Sequence, residues 1–423
     1  MEIDIVKSIV KLSKLSLKLL NLHLLIHLSD TERQFIKAHL QDDPHILLLR
    51  AHPADLSIKK LVEQIVARQK AREKLPSWYA NDDLFFPPAL SVEQASSERT
   101  AQYKASIVDG KLLLDLTGGM GVDTWAFSQR IDQVLYVDRQ QELANLAAYN
   151  LSRLGQTNII VRVGDGISIL KEPDVKTADW LYLDPHRRDE RGGRVVQLAD
   201  CDPDVTQPGL LPILLNRANQ ILIKGSPLLD INLTVRQLAN QVESVHVVAV
   251  QGEVKELLFT VVNRVIDREN MLINSVNLTR EGAVEFNFEW QEEQTAAIQF
   301  GNPQQYIYEP NAAVLKAGAF RLVASRFGLI KLAPHSHLYT SEVIKPEFPG
   351  RIFVLNDVIK PDSKALKKLI PNLKANLTVR NFPQTVAELR KKLALREGGA
   401  VYILATTLLN GDKRLLITQK IDV

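Results

Sequence analysis

A chain of 423 residues is long for one hydrophobic core and predicts two or three domains. Its 45% hydrophobic and 24% charged residues exclude a disordered or collagen-like chain, and a net charge of only +3 means that any basic footprint for nucleic acid has to be local. A single cysteine, Cys201, excludes an internal disulfide framework and a cysteine metal cluster, and fits a reducing, cytoplasmic compartment.

Near the N-terminus Lys7, Lys11, Lys14 and Lys18 recur at spacings of three and four and share one face of a predicted basic amphipathic helix. The uninterrupted apolar run at 19–28 falls short of the roughly 20 residues a membrane span needs. Glu2 and Asp4 stand where a signal peptide would carry positive charge, and of the two readings of the basic helix, lying on a membrane surface or packing on the protein's own core, the second is favoured, so no membrane partner is expected. Ser29-Asp30-Thr31-Glu32 reads as a capping box, and a helical period continues to about residue 74 with breaks at Pro44 and Pro53. Residues 1–90 are therefore expected to form a helical N-terminal region, left through Pro76 and Pro87-Pro88. Ser91-Val92-Glu93-Gln94 predicts a second capping box opening a helix over 96–104. In that helix Ser97, Thr100 and Lys104 either line a pocket or form the polar face of a packing helix.

The next stretch organises the chain. Leu112-Leu113-Leu114-Asp115-Leu116-Thr117 runs into Gly118-Gly119-Met120-Gly121, a buried strand followed by a tight glycine turn whose N–H groups face a ligand. A carboxylate at Asp115, before the glycines, would repel a pyrophosphate but pair with an ammonium group. S-adenosylmethionine carries such a group, whereas NAD and ATP do not. Asp123 then opens a helix whose N-terminal amides point toward the loop. Val134-Leu135-Tyr136-Val137 is the next strand and ends at Asp138, about 20 residues beyond the loop, where an acidic residue reaches ribose hydroxyls. A helix over 142–154 is closed by Gly155, and a third strand at 159–163 ends in Gly164-Asp165-Gly166, with Asp165 placed to accept from an adenine amino group. Each aspartate alone also reads as a turn former or helix cap. Three at successive C-terminal strand ends favour a binding crevice.

The fourth strand, Trp180-Leu181-Tyr182-Leu183, ends in Asp184-Pro185-His186-Arg187-Arg188. At this point the order and spacing of motifs over about 91–265 resemble the class I S-adenosylmethionine-dependent methyltransferases, and Asp-Pro-x-Arg resembles their RNA-modifying branch. The resemblance implies an α/β fold, a doubly wound and mostly parallel seven-stranded methyltransferase sheet over 91–268. It implies S-adenosylmethionine as cofactor, with Asp115, Thr117, Gly118, Gly119, Gly121 and Asp123 around the methionine moiety, Asp138 on the ribose, and Asp165 with Gly166 on the adenine. Asp184 and Pro185 would face the methyl group and acceptor, joined by His186 and Arg187 on the same loop. Family members that methylate exocyclic amines place an aromatic residue after the proline pair, and His186 departs from that pattern. Arg187 and Arg188 suit phosphate contacts or a salt bridge to Asp189 or Glu190. Cys201, between Asp200 and Asp202, is a poor thiolate.

A strand at 220–223 and two close late strands at 244–250 and 256–262, joined through Gly252, look like the hairpin that ends a methyltransferase sheet rather than a further crossover. Residues 269–423 are expected to form a C-terminal α+β region, beginning with hairpin-like alternation over 271–300. His335 and His337 stand without a third ligand, so no metal site is expected. From about 350 the chain resembles the THUMP-like domain found after some bacterial methyltransferases, and its end is basic: Lys364, Lys367, Lys368, Lys374, Arg380, Arg390, Lys391, Lys392, Lys413 and Arg414. THUMP domains proper are RNA-binding modules of tRNA-modifying enzymes, so the resemblance implies an RNA partner, tRNA first, without DNA specificity. Two alternatives stay open: a methyltransferase of a small molecule or protein, and a binding protein that keeps the cofactor pocket without turnover. The oligomeric state is not legible.

Overall fold

The computed structural model describes residues 28–50, 56–187 and 197–421. The basic N-terminal stretch, Pro53 and Arg188 lie outside them. The chain divides into two compact units, one of residues up to 185 with 209–222, the other of 186–208 with 223 onward.

The first unit begins with helices. α1 (Asp30–Ala38) starts with the expected capping box, Ser29 and Glu32 each accepting the other's backbone N–H. α2 (Pro44–Leu49) is capped by Asp43, and α3 (Ile58–Lys74) lays Leu61, Val62 and Ile65 on a cluster with Leu28, Ile36 and Leu47. α4 (Pro76–Tyr79), α5 (Ala89–Gln94) and α6 (Glu98–Ile107) follow. Here the expected capping box at Ser91 is corrected. Pro88 holds the N-cap position, so Ser91 lies inside α5, and extended backbone at Ala95 ends that helix. The next helix is capped by Ser97, whose hydroxyl accepts the Thr100 N–H.

β1 (Leu112–Asp115), α7 (Val122–Phe127), β2 (Gln133–Asp138), α8 (Gln141–Arg153), β3 (Ile159–Val163), α9 (Gly166–Leu170) and β4 (Ala178–Leu183) then alternate. β2 pairs in parallel with β1 and with β3, and β4 pairs in parallel with the other side of β1. The chain order therefore reverses at β1, which makes the C-terminal end of β1 the switch point where open parallel sheets form a crevice. β5 (His186–Arg187) and β6 (Cys201–Asp202) form a short antiparallel pair. They are followed by α10 (Leu210–Leu215), β7 (Ala218–Gly225), α11 (Ile231–Gln237) and the antiparallel hairpin of β8 (Val242–Val250) with β9 (Glu253–Val262).

The expectation of seven strands falls short. β10 (Leu272–Leu278) pairs in parallel with β8, and β11 (Ala283–Glu289) pairs antiparallel with β10. Among the described residues the sheet has nine strands and mixed directions, in the order β11-β10-β8-β9-β7-β4-β1-β2-β3. The buried Ile273, Ser275 and Val276 of β10 make it an interior strand, a pairing with no local sequence signal.

The second unit continues through α12 (Trp290–Thr295), β12 (Gln299–Phe300), β13 (Tyr306–Pro310), α13 (Ala312–Ala317), α14 (Leu322–Phe327), β14 (Ile330–Lys331), β15 (Tyr339–Ser341), β16 (Gly350–Ile359), α15 (Ser363–Leu369), β17 (Asn376–Arg380), α16 (Val386–Leu393), β18 (Val401–Thr407) and β19 (Lys413–Ile421). Strands β12 to β19 form a second mixed sheet, ordered β12-β14-β15-β13-β16-β19-β18-β17. Period-two alternation gives it two apolar faces. Ile403, Leu415 and Ile417 pack with Leu366 of α15, Ile370 just after it, and Leu389 and Leu393 of α16, while Leu404 and Leu416 pack with Ile307, Leu332 and Phe353. Among the described residues no helix is long and apolar enough to cross a membrane.

Candidate active site

The site is built from the C-terminal ends of β1 to β4. Three apolar residues carry β1 into the core, so its last residue, Asp115, is 1% exposed. In register it stands beside Tyr136 of β2 and Tyr182 of β4. The Asp115 carboxylate accepts the Thr117 N–H at 3.1 Å and the Thr124 hydroxyl. No Lys, Arg or His nitrogen stands within 4 Å of it among the described residues. Burial pushes its pKa up to about 7; the bonds from Thr124 and Thr117 oppose the rise, and the charges of Asp123 and Asp184 add to it.

The glycines are there for space. A Cβ at Gly118 would stand 2.1 Å from the Tyr136 ring, and one at Gly166 would stand 2.6 Å from the Leu116 carbonyl. Gly119 and Gly121 both take left-handed φ, +54° and +86°, which lets the loop turn into α7. Tyr136 clamps the loop by donating its hydroxyl to the Gly119 carbonyl at 2.6 Å. Asp138, at the end of β2, accepts the Gly119 N–H at 2.9 Å and the Gln140 N–H at 2.7 Å. At the end of β3, Asp165 caps α9, accepting the Ser168 N–H and hydroxyl at 2.9 Å, while its other oxygen lies 3.8 Å from Arg139.

Thr117 joins two strand ends, its hydroxyl accepting the Asp184 N–H at 2.7 Å. Asp184 is half-buried and Pro185 buried. His186 and Arg187 begin the second unit, where their backbones pair with Asp202 and Cys201. His186 is exposed and Cys201 is buried.

Asp123 is turned inward. One oxygen accepts the hydroxyls of Ser96 (2.8 Å) and Tyr182 (2.7 Å), and the other lies 3.2 Å from the Lys104 ammonium. Lys104 is fully buried and also donates to Ser96 at 3.1 Å. Sequence reasoning left Lys104 open between a pocket lining and the polar face of a packing helix and did not read it as the partner of Asp123; a lysine on the inner face of an amphipathic helix was the available signal. The donor set fits S-adenosylmethionine: a buried carboxylate with no cation within 4 Å among the described residues, a tight glycine turn at the same strand end, and acidic groups at the next two strand ends.

Residues 93–172 match the model of the protein-L-isoaspartate(D-aspartate) O-methyltransferases, 306–349 a ferredoxin-like domain model and 350–420 a THUMP domain-like model. The chain is 36% identical to a crystal structure described as a "putative methyltransferase from Porphyromonas gingivalis W83", covering 93% of this chain and 98% of that one with a TM-score of 0.81. It is 24% identical to an "uncharacterized S-adenosylmethionine-dependent methyltransferase" of Mycobacterium tuberculosis, over 82% of this chain and 92% of that protein. A protein-L-isoaspartate O-methyltransferase of Koribacter versatilis is 28% identical over 40% of this chain and 68% of its own. The chain belongs to the class I S-adenosylmethionine-dependent methyltransferases and carries a C-terminal THUMP-like domain.

Proposed function

We propose that this enzyme works in the cytoplasm and transfers the methyl group of S-adenosylmethionine to a structured RNA, tRNA in the first instance. The observation that carries the RNA reading is the cationic surface of the THUMP-like domain. Lys364, Lys367 and Lys368 of α15, Lys391 and Lys392 of α16, and Lys374 are exposed, and none has a carboxylate within 4 Å among the described residues. The neighbouring Arg380, Arg390 and Arg414 are instead paired with Glu309, Glu397 and Asp412. Unpaired lysines on two adjacent helices suit a phosphate backbone, and THUMP domains proper bind RNA.

At the cofactor end, Asp115 would take the ammonium group and the loop of Thr117, Gly118, Gly119 and Gly121 the methionine chain. Asp138 would hold the ribose and Asp165 with Gly166 the adenine. The bound cofactor supplies an electrophilic methyl group on a sulfonium. The chain's own work is alignment of the acceptor and acceptance of its proton. Asp184 suits that task because it stands at the C-terminal end of β4, Pro185 stiffens the backbone behind it and the Thr117 hydroxyl accepts its N–H. His186 and Arg187 follow directly and would contact the RNA.

The isoaspartate methyltransferase match favours a second reading, a protein carboxylate as acceptor, but it covers the cofactor half alone. Incubation with labelled S-adenosylmethionine and a cell extract separates the two: label in nucleosides after RNA digestion is expected, and label confined to protein would replace RNA as the acceptor. With RNA as substrate, Asp184→Asn should lower turnover by about 10²–10⁴-fold while leaving cofactor affinity in place. A variant that turns over like the wild type would move the proton acceptor to His186.

A further inference from the structure

The Lys104–Asp123 pair is the most buried ion pair around the cofactor loop, and the cofactor-binding roles proposed above make no use of its lysine. Lys104 comes from α6, before the organising strand, and Asp123 from the second position of α7, after the loop. Tyr182, the other hydroxyl on Asp123, occupies the β4 position beside Asp115. Thr124, the next residue of α7, donates to Asp115 itself. Consecutive residues of one helical turn therefore hold two carboxylates, one given an ammonium ion and the other, among the described residues, left without a cation.

We infer that Lys104 is a positioning residue for cofactor binding: by neutralising Asp123 it keeps Asp115 ionised and free to receive the ammonium group of S-adenosylmethionine. The inference rests on the reading of Asp115 as the ammonium site. Among the described residues, the charged and titratable groups facing Asp115 are Asp123 from α7, Asp184 from the end of β4, Tyr182 from β4 and Tyr136 from β2. All are acids, so without Lys104 the described groups around Asp115 would be only negative or neutral. A buried carboxylate among other carboxylates takes up a proton and loses its attraction for a cation.

The test is calorimetric binding of S-adenosylmethionine to the full-length protein as a function of pH. 5′-Methylthioadenosine, which lacks the amino-acid moiety, is the control ligand. In the wild type, S-adenosylmethionine affinity should climb through an acid limb near pH 7. Lys104→Met should move that limb up by about one unit and weaken binding about fivefold at pH 7, with methylthioadenosine affinity unchanged. Asp123→Asn, which leaves the lysine and removes the negative charge, should move the limb down, so either variant that folds gives a signed answer. The double variant Lys104→Met with Asp123→Asn should return the limb close to its wild-type position. Equal loss of both ligands without movement of the limb would make the pair a structural strut and overturn the inference. Asp115→Asn separates the two readings. Unchanged affinity there would remove the ammonium site itself, and lost affinity with an immobile limb in both single variants would remove Lys104 alone.

Discussion

Asp115 and Glu309 are both strand carboxylates buried to within 2% of full burial, and they are satisfied in opposite ways. Glu309, in β13, takes two guanidinium groups: Arg351 Nε at 2.9 Å and Arg380 Nε at 2.8 Å, each on its own oxygen. Asp115 receives a hydroxyl and one backbone N–H, and its pKa stands near 7. The difference separates a charge kept for the fold from one kept for a ligand. A closed ion cluster has nothing left to bind, whereas a carboxylate in a low-dielectric crevice without a cation gains most from one that arrives with a ligand.

The comparison breaks or sharpens with substitutions, beginning with the largest effect. Asp115→Asn should weaken S-adenosylmethionine binding by about 1.5–3 kcal/mol, one to two powers of ten in affinity by calorimetry, without lowering the denaturant midpoint of the unliganded protein at pH 8. Loss of stability with retained affinity would put Asp115 in the class of Glu309. Glu309→Gln should do the reverse. With Arg351 and Arg380 about two-fifths exposed, solvent softens the loss of the pair to about 1–2 kcal/mol of unfolding free energy, and cofactor affinity should not move.

The pH dependence follows from the same contrast. Because burial raises the Asp115 pKa from 3.8 to about 7, the native state holds a proton across that window that the unfolded chain has released. This group therefore makes the unliganded protein less stable as pH rises through the window. Cofactor affinity should climb over its upper end, so the thermal shift produced by S-adenosylmethionine should grow from pH 6 to pH 7.5. A shift that is flat in pH would mean that the ammonium group is held elsewhere.

The smallest effect concerns the lysines. Lys391→Glu with Lys392→Glu should weaken RNA binding and reduce its salt dependence by roughly one unit of slope per lost phosphate contact, with cofactor affinity constant. An unchanged slope would reduce these side chains to solvation of α16.

What was legible in the chain follows the range of the interactions. Strands β1 to β4 and their terminal aspartates could be read because each is a short apolar run ended by a polar residue, a signal contained in four to six positions. The hairpin of β8 and β9 was legible for the same reason, its turn being marked by Gly252. β10 and β11 also alternate visibly, but nothing within 272–289 says that this hairpin joins the first sheet beside β8. The error at Ser91 was local: the Ser-x-x pattern was right in kind, while Pro88 had already set the helix start three residues earlier. In the site, the glycines and acids announced themselves through spacing. Lys104 with Asp123 and Arg351 with Glu309 lie 19 and 42 residues apart and find each other only in the fold, so long-range charge pairing was the part that sequence could not supply.

The helix that leaves the cofactor loop also carries an indole. Trp125 follows Asp123 and Thr124 directly, is 8% exposed, and stands edge-on to the fully buried Trp78, with ring centroids 6.4 Å apart and planes at 83°. A coupled pair of tryptophans one residue past the Asp115 contact gives the molecule a built-in lamp. A displacement of the loop is expected to change the pair's emission in colour or intensity, with no dye attached. Trp125→Phe should remove the coupled signal and leave Trp78, Trp180 and Trp290 as background.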